Sequence, residues 1–225
     1  LKINKLITPF NKKLSIEGDK SLSIRWALLA SMANGKSSAY NLLNSEDVND
    51  TIKSLKKLGV KIKRKKQKCE IFGKGLKSFK YKKNIILNCG NSGTLARLIL
   101  GLLIDTNHKI KITGDSSLSR RDFSRVTDPL KKFGASFFPE NKKKLPLEIL
   151  GSNNLKKINY FENKGSAQCK TSVMLAALKS KGETKIVARK SRNHTEILFK
   201  YLKMPIKIIT KKKIDVIKIK GKREF

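Results

Sequence analysis

Three stretches of this chain are apolar nearly all the way round a helix: Ser21 to Ala33, Thr94 to Ile104 and Cys169 to Leu178. A helix without a polar face has to be buried, so the three predict a shared core. Each is opened by a polar, mostly glycine-bearing turn. Each is followed by a short stretch that predicts a strand, near Ser38 to Leu42, Lys109 to Thr113 and Thr184 to Ala188. A second, amphipathic helix comes next. In the first unit it starts at Ser45, an N-cap residue type, with Glu46 and Asp47 in the first turn. Val48, Ile52 and Leu55 then share one face, and Gly59 is the stop. Paired strands close the units, as at Val60 to Arg64 with Cys69 to Phe72, and Ile206 to Thr210 with Ile214 to Lys220.

The pattern recurs about every 75 residues. The first unit runs from Gly18-Asp19-Lys20-Ser21 to Leu58-Gly59-Val60, and the second from Gly90-Asn91-Ser92-Gly93-Thr94 to Phe133-Gly134-Ala135. The third runs from Gly165-Ser166-Ala167-Gln168 to near Met204-Pro205. Three units, each carrying a helix it cannot bury alone, predict an α/β fold (α+β by some schemes). Its architecture is a pseudo-threefold prism of βαβαββ-type repeats with helices inside and sheets outside. The repeats span roughly residues 14–80, 81–155 and 156–225.

Composition narrows the picture. An apolar content of 39% suits a globular protein, and the longest apolar run, Leu98 to Ile104, is too short to span a bilayer. Residues Leu1 to Lys5 are not backed by the apolar core of a signal peptide. The chain opens without methionine, and its expected identity is an incomplete cytoplasmic gene product. Cys69, Cys89 and Cys169 have neither disulfide-framework nor zinc-site spacing, which predicts three reduced thiols and no metal.

The net charge is +35. Such a charge suits nucleic acid, but the runs Lys61 to Lys68, Lys142 to Lys144 and Lys211 to Lys213 lack interleaved aromatics for base stacking. A lysine-rich solvated surface around a site for a small anionic substrate fits as well. Arginine is more telling. Only nine of the 52 basic residues are arginine. Six of those, Arg25, Arg97, Arg120, Arg121, Arg125 and Arg192, lie in or beside the polar turns, where a planar fork matches carboxylates and phosphates. Arg97 and Arg125 are also candidates for bridging helices. Helix N-termini at the three turns add free N–H groups for an anion.

Five motifs then occur in a fixed order: Gly18-Asp19-Lys20-Ser21-Leu22-Ser23-Ile24-Arg25, Gly90-Asn91-Ser92-Gly93-Thr94, Gly114-Asp115-Ser116-Ser117-Leu118-Ser119-Arg120-Arg121, Gly165-Ser166-Ala167-Gln168 and Ser191-Arg192-Asn193-His194-Thr195-Glu196. From about Leu14 onward the chain resembles the N-terminal half of the 3-phosphoshikimate 1-carboxyvinyltransferase (5-enolpyruvylshikimate-3-phosphate synthase) family. One departure is Asp122, where the family has proline.

The resemblance implies enolpyruvyl transfer from phosphoenolpyruvate to the 5-hydroxyl of shikimate 3-phosphate, without cofactor or metal. Lys20, the one catalytic candidate, resembles the lysine lying between both substrates. Ser21, Arg25, Ser166, Ala167, Gln168 and Arg192 resemble shikimate 3-phosphate contacts. Gly93, Arg121 and again Gln168 resemble phosphoenolpyruvate contacts. His194 tempts a general-base role, with helix capping or packing as the plainer one.

The family has two three-repeat domains, the second bearing the catalytic carboxylates, for which no residue here is a candidate. Residues 1–13 would form a strand of that second domain, and the complete enzyme would be a monomer in solution without specific nucleic-acid or membrane partners. The 225 residues alone would bind shikimate 3-phosphate weakly and turn nothing over. Alternatives are the related UDP-N-acetylglucosamine enolpyruvyl transferase, a basic nucleic-acid-binding module, and a non-catalytic binding fragment that keeps the fold.

Overall fold

The computed structural model describes residues 9, 11, 13–65, 68–77 and 79–225. The strand expected over residues 1–13 therefore falls outside the described residues, apart from 9, 11 and 13. Three helices form the centre: α1 (Lys20–Met32), α3 (Gly93–Leu102) and α6 (Ala167–Lys179). The last eleven residues of α6, Cys169 to Lys179, are all buried, and so are nine of the ten in α3. The all-round apolar pattern has the consequence expected of it: α3 packs on both α1 and α6.

Three sheets lie outside. Between α1 and α3 come β1 (Asn34–Tyr40), α2 (Glu46–Lys57), β2 (Lys61–Lys65), β3 (Lys68–Lys74) and β4 (Ile86–Asn88). After α3 follow β5 (Ile110–Thr113), the one-turn α4 (Ser116–Ser119), α5 (Ser124–Phe133), β6 (Ser136–Phe138), β7 (Leu147–Leu150) and β8 (Asn159–Glu162). Beyond α6 are β9 (Glu183–Arg189), α7 (His194–Tyr201), β10 (Ile206–Thr210) and β11 (Ile214–Lys220).

The second and third sheets share one topology, β4-β5-β7-β6 and β8-β9-β11-β10, with a parallel first pair and antiparallel remainder. The first sheet, β1-β3-β2, lacks the opening strand among the described residues, so β1 is an edge there. Alternating burial along β3 and β9 turns one face of each sheet to the helices.

Two local readings need adjustment. Ser45 sits at the N-cap of α2 with extended backbone, but its side chain makes no capping bond, and its Oγ is buried without a hydrogen-bond partner among the described residues. The acidic first turn carries that end instead. Asp122, where proline was expected, accepts from the Ser124 amide at 2.7 Å and so braces the start of α5. The Arg121 amide donates to the Leu118 carbonyl, which leaves that turn well defined. Gly59 stops α2 as expected, with a φ of 85° that a side chain would strain.

α3 and α6 approach closely at Gly101, where a Cβ would collide with the backbone carbonyl of Ser172 on α6. Gly101→Ala is expected to force α3 and α6 apart and destabilise the fold by about 3 kcal/mol, read as a lower urea midpoint at unchanged slope.

Candidate functional site: three helix N-termini and their arginines

The three central helices start at the same end of the domain, and each is capped alike. Asp19 Oδ1 accepts from Leu22 N at 2.7 Å, Ser92 Oγ from Leu95 N at 3.2 Å and Ser166 Oγ from Cys169 N at 3.2 Å. Each cap satisfies one free amide of its first turn and leaves others directed at the space ahead. That space includes a cleft of about 290 Å³. Of the residues singled out from sequence, Ser21, Arg25, Ser166, Ala167, Gln168 and Arg192 line it; Lys20, Gly93 and Arg121 do not. Thr94, Gly165, Ser191 and His194 complete the wall.

Arg25 is the electrostatic centre. It is only 4% exposed, donates from Nε to Thr195 Oγ1 at 2.9 Å and from Nη1 to the Ser21 carbonyl at 3.0 Å. Among the described residues it forms no ion pair. Burial pulls its guanidinium below the usual arginine range; Glu196 and Asp19 oppose that shift, while Arg192 adds to it. A buried cation facing a second cation with no bound carboxylate is costly, and an anion in the cleft would relieve it.

A second cationic cluster surrounds the start of α3. A Cβ on Gly93 would come within 2.8 Å of both the Arg97 and Arg121 Nη1 atoms. The glycine thus leaves room for two guanidinium groups as well as for any ligand. Arg97 bridges, as its sequence position had suggested: it donates to the Gly93 carbonyl and to Gln168 Oε1 at 3.1 Å, and lies over the Phe123 ring. Its guanidinium too is pulled down, by burial first and by the neighbouring charges of Arg121 and Arg125 as well. Gln168 donates from Nε2 to Thr94 Oγ1 at 3.0 Å, so both ends of its amide are held.

Other placements are informative. Lys20, half exposed, pairs with Asp47 at 3.1 Å. Arg125 binds Glu162, which also accepts from the Ser166 amide at 2.8 Å and so ties the third turn to β8. His194 opens α7 but caps nothing: its Nδ1 is buried without a hydrogen-bond partner among the described residues. Sequence reasoning missed Thr94, Glu162 and Thr195. A buried glutamate just ahead of the third turn, in so basic a chain, was the one legible signal among them.

A larger hollow, about 620 Å³, lies at the opposite ends of α3 and α6. Its buried cation, Lys179, is already paired with Asp105 at 2.6 Å, so no unmet charge marks it as the site. The thiols of Cys69, Cys89 and Cys169 are all buried and free, and burial pushes Cys89 up to about 12. No group of potential metal ligands is present among the described residues. No helix among them is long and apolar enough to cross a membrane. Phe72 and Tyr40 do lie beside the run Lys61 to Lys68, which had looked free of aromatics. Lysine ammonium groups sit over both rings.

Comparison with known proteins bears directly on this geometry. The solved EPSP synthase of Acinetobacter baumannii superposes with a TM-score of 0.86 at 31% identity, over 95% of this chain and 48% of that one. The 3-phosphoshikimate 1-carboxyvinyltransferase of Petrotoga mobilis is 40% identical over 201 residues, which is 87% of this chain and 46% of that protein. The enzyme of that name from Streptococcus uberis is 40% identical over 194 residues, 85% and 45% respectively. The chain thus spans about half the length of the curated relatives it matches. The sequence model of EPSP synthase (3-phosphoshikimate 1-carboxyvinyltransferase) matches residues 5–224. A match along nearly the whole chain, joined to the shared fold, makes this protein a member of the EPSP synthase family.

Proposed function

We propose that the chain supplies the shikimate 3-phosphate half of an enolpyruvyl transferase site. The observation that carries the reading is Arg25: a guanidinium 4% exposed, without an ion pair among the described residues, at the wall of a cleft where helix N-termini converge. In this reading Arg25 takes the substrate carboxylate through its planar fork. Ser166, the backbone of Ala167, Gln168 and Arg192 hold the phosphate and ring hydroxyls, with Ser21 beside them. Gly93 leaves Arg121 within reach of phosphoenolpyruvate, towards which Gln168 also projects. Lys20 exchanges Asp47 for the two substrates and lies between them.

The reaction forms a bond from the 5-oxygen of shikimate 3-phosphate to C2 of phosphoenolpyruvate as the 5-hydroxyl gives up its proton and C3 gains one. The tetrahedral intermediate then expels phosphate from C2 while its C3 methyl loses a proton, which restores the double bond. Two multiply charged anions must be held side by side, and fixed cations with oriented amides reduce their repulsion without reorganising. The groups that move protons would belong to a second three-repeat domain, the partner this half-site requires. The same chemistry gives the chain its place in a soluble, cofactor-free enzyme of aromatic amino-acid biosynthesis acting in the cytoplasm as a monomer.

Calorimetric titration of shikimate 3-phosphate tests the reading. Saturable heat is expected from the wild-type chain, and Arg25→Ala should weaken binding by about thirtyfold or more. A folded wild-type chain that takes up no ligand would sink the proposal. Salt-dependent binding to duplex DNA should be the same in both proteins, because it draws on surface lysines. With shikimate 3-phosphate saturating, Gly93→Ala should weaken phosphoenolpyruvate by about tenfold, since two guanidinium groups must move to admit the methyl. The chain alone should release no phosphate from the substrate pair; turnover by a purified, contamination-free sample would contradict the half-site assignment.

A further inference from the structure

Beneath the cleft lies a polar knot that the substrate contacts do not use. Lys170 on α6 and Glu196 on α7 form an ion pair at 2.5 Å, with side chains 0% and 6% exposed. Among the described residues neither charged group has a hydrogen-bond partner, so the pair is held by charge and proximity alone. The adjacent residues repeat the link: Thr171 and Thr195 share a hydrogen bond at 2.7 Å between their hydroxyl oxygens. Thr195 Oγ1 is also the acceptor for Arg25 Nε. Two consecutive pairs therefore clasp α6 to α7, and Arg25 from α1 is fastened to the clasp.

The electrostatics of this arrangement are unusual. Glu196 pairs with Lys170 and also acts on Arg25, which Arg192 repels. Glu196 gives the strongest favourable field at Arg25, ahead of Asp19, yet it makes no ion pair with Arg25. A buried carboxylate beside a buried guanidinium ordinarily pairs with it, since each otherwise stays unsatisfied. The ammonium that Glu196 does pair with is that of Lys170.

We propose that Lys170 is a positioning residue acting through Glu196: by holding that carboxylate it withholds it from Arg25 and keeps the guanidinium open to the carboxylate of the ligand. The role rests on the reading of the cleft as a shikimate 3-phosphate site. Without Lys170, Glu196 becomes an internal competitor for Arg25. Without Glu196 as well, the competitor is gone.

Four proteins decide it: wild type, Lys170→Met, Glu196→Gln and the double variant, each titrated with shikimate 3-phosphate well below its melting temperature. Lys170→Met should raise Kd by about tenfold or more, although residue 170 touches no ligand. The double variant should return to within about threefold of wild type, and Glu196→Gln alone should lose no more than that. An unchanged Kd in folded Lys170→Met, or a double variant as weak as Lys170→Met, overturns the proposal. If Lys170→Met does not fold, a loss of about tenfold in Glu196→Gln or in the double variant overturns it equally.

A ligand-free arm separates this idea from the substrate assignment. In Lys170→Met the Arg25 guanidinium N–H protons should exchange more slowly by NMR than in wild type, and the added Glu196→Gln should abolish that slowing. Unaltered exchange would refute the competition even if wild type bound the ligand well. Slowed exchange in a protein that binds no shikimate 3-phosphate would uphold the competition and refute the substrate reading alone.

Discussion

Three helices that lack a polar face can be buried only against one another, and that constraint organises the molecule. Packing α3 against both α1 and α6 removes Leu98, Ile99, Val173, Met174, Leu28 and Leu29 from water in a single cluster. Sheets then close the outside. Because the repeats share one chain direction, the three helices also share one polarity, and their N-terminal turns arrive at the same end of the core. The cleft is thus a consequence of the packing.

At that end the core has to accommodate charge. Asp19, Ser92 and Ser166 each cap one amide. Glu162 anchors the third turn and Arg125 together, while Arg97 stitches the second turn to the third through Gln168. These links tie the second and third turns to each other and to β8. Arg25, like Arg97, donates only to neutral oxygens, but it is the more deeply buried of the two and lines the cleft. Lys170 and Glu196, both buried, pair with each other by charge. Two buried cations therefore differ in one respect: Lys170 is paired with a carboxylate and Arg25 is not.

Several elements were legible because their signals are local. The all-round apolar runs announced buried helices, Gly59 announced a helix stop, and arginine in a lysine-rich chain announced the polar turns. Other features left no local trace. Ser45 has the composition of a cap but no capping bond, since its hydroxyl is buried away from the amides. Phe72 looked unconnected to the lysine run because only strand pairing brings Lys61 and Lys63 over its ring. The opening strand expected of the first repeat is absent among the described residues, and β1 is left as an edge.

Sequence by itself determined the threefold repetition, the helices that must be buried and the five motifs with their arginines, because each depends on neighbouring residues or on spacing along the chain. Tertiary structure alone decided which of those arginines is free. Arg97 and Arg25 each reach back to the carbonyl four residues earlier near the start of their helices, yet one is tied to Gln168 and the other opens onto the cleft. The choice turns on partners 71 and 170 residues away, Gln168 for Arg97 and Thr195 for Arg25. Charge compensation is set by distances in space across packed helices, and no local pattern encodes them.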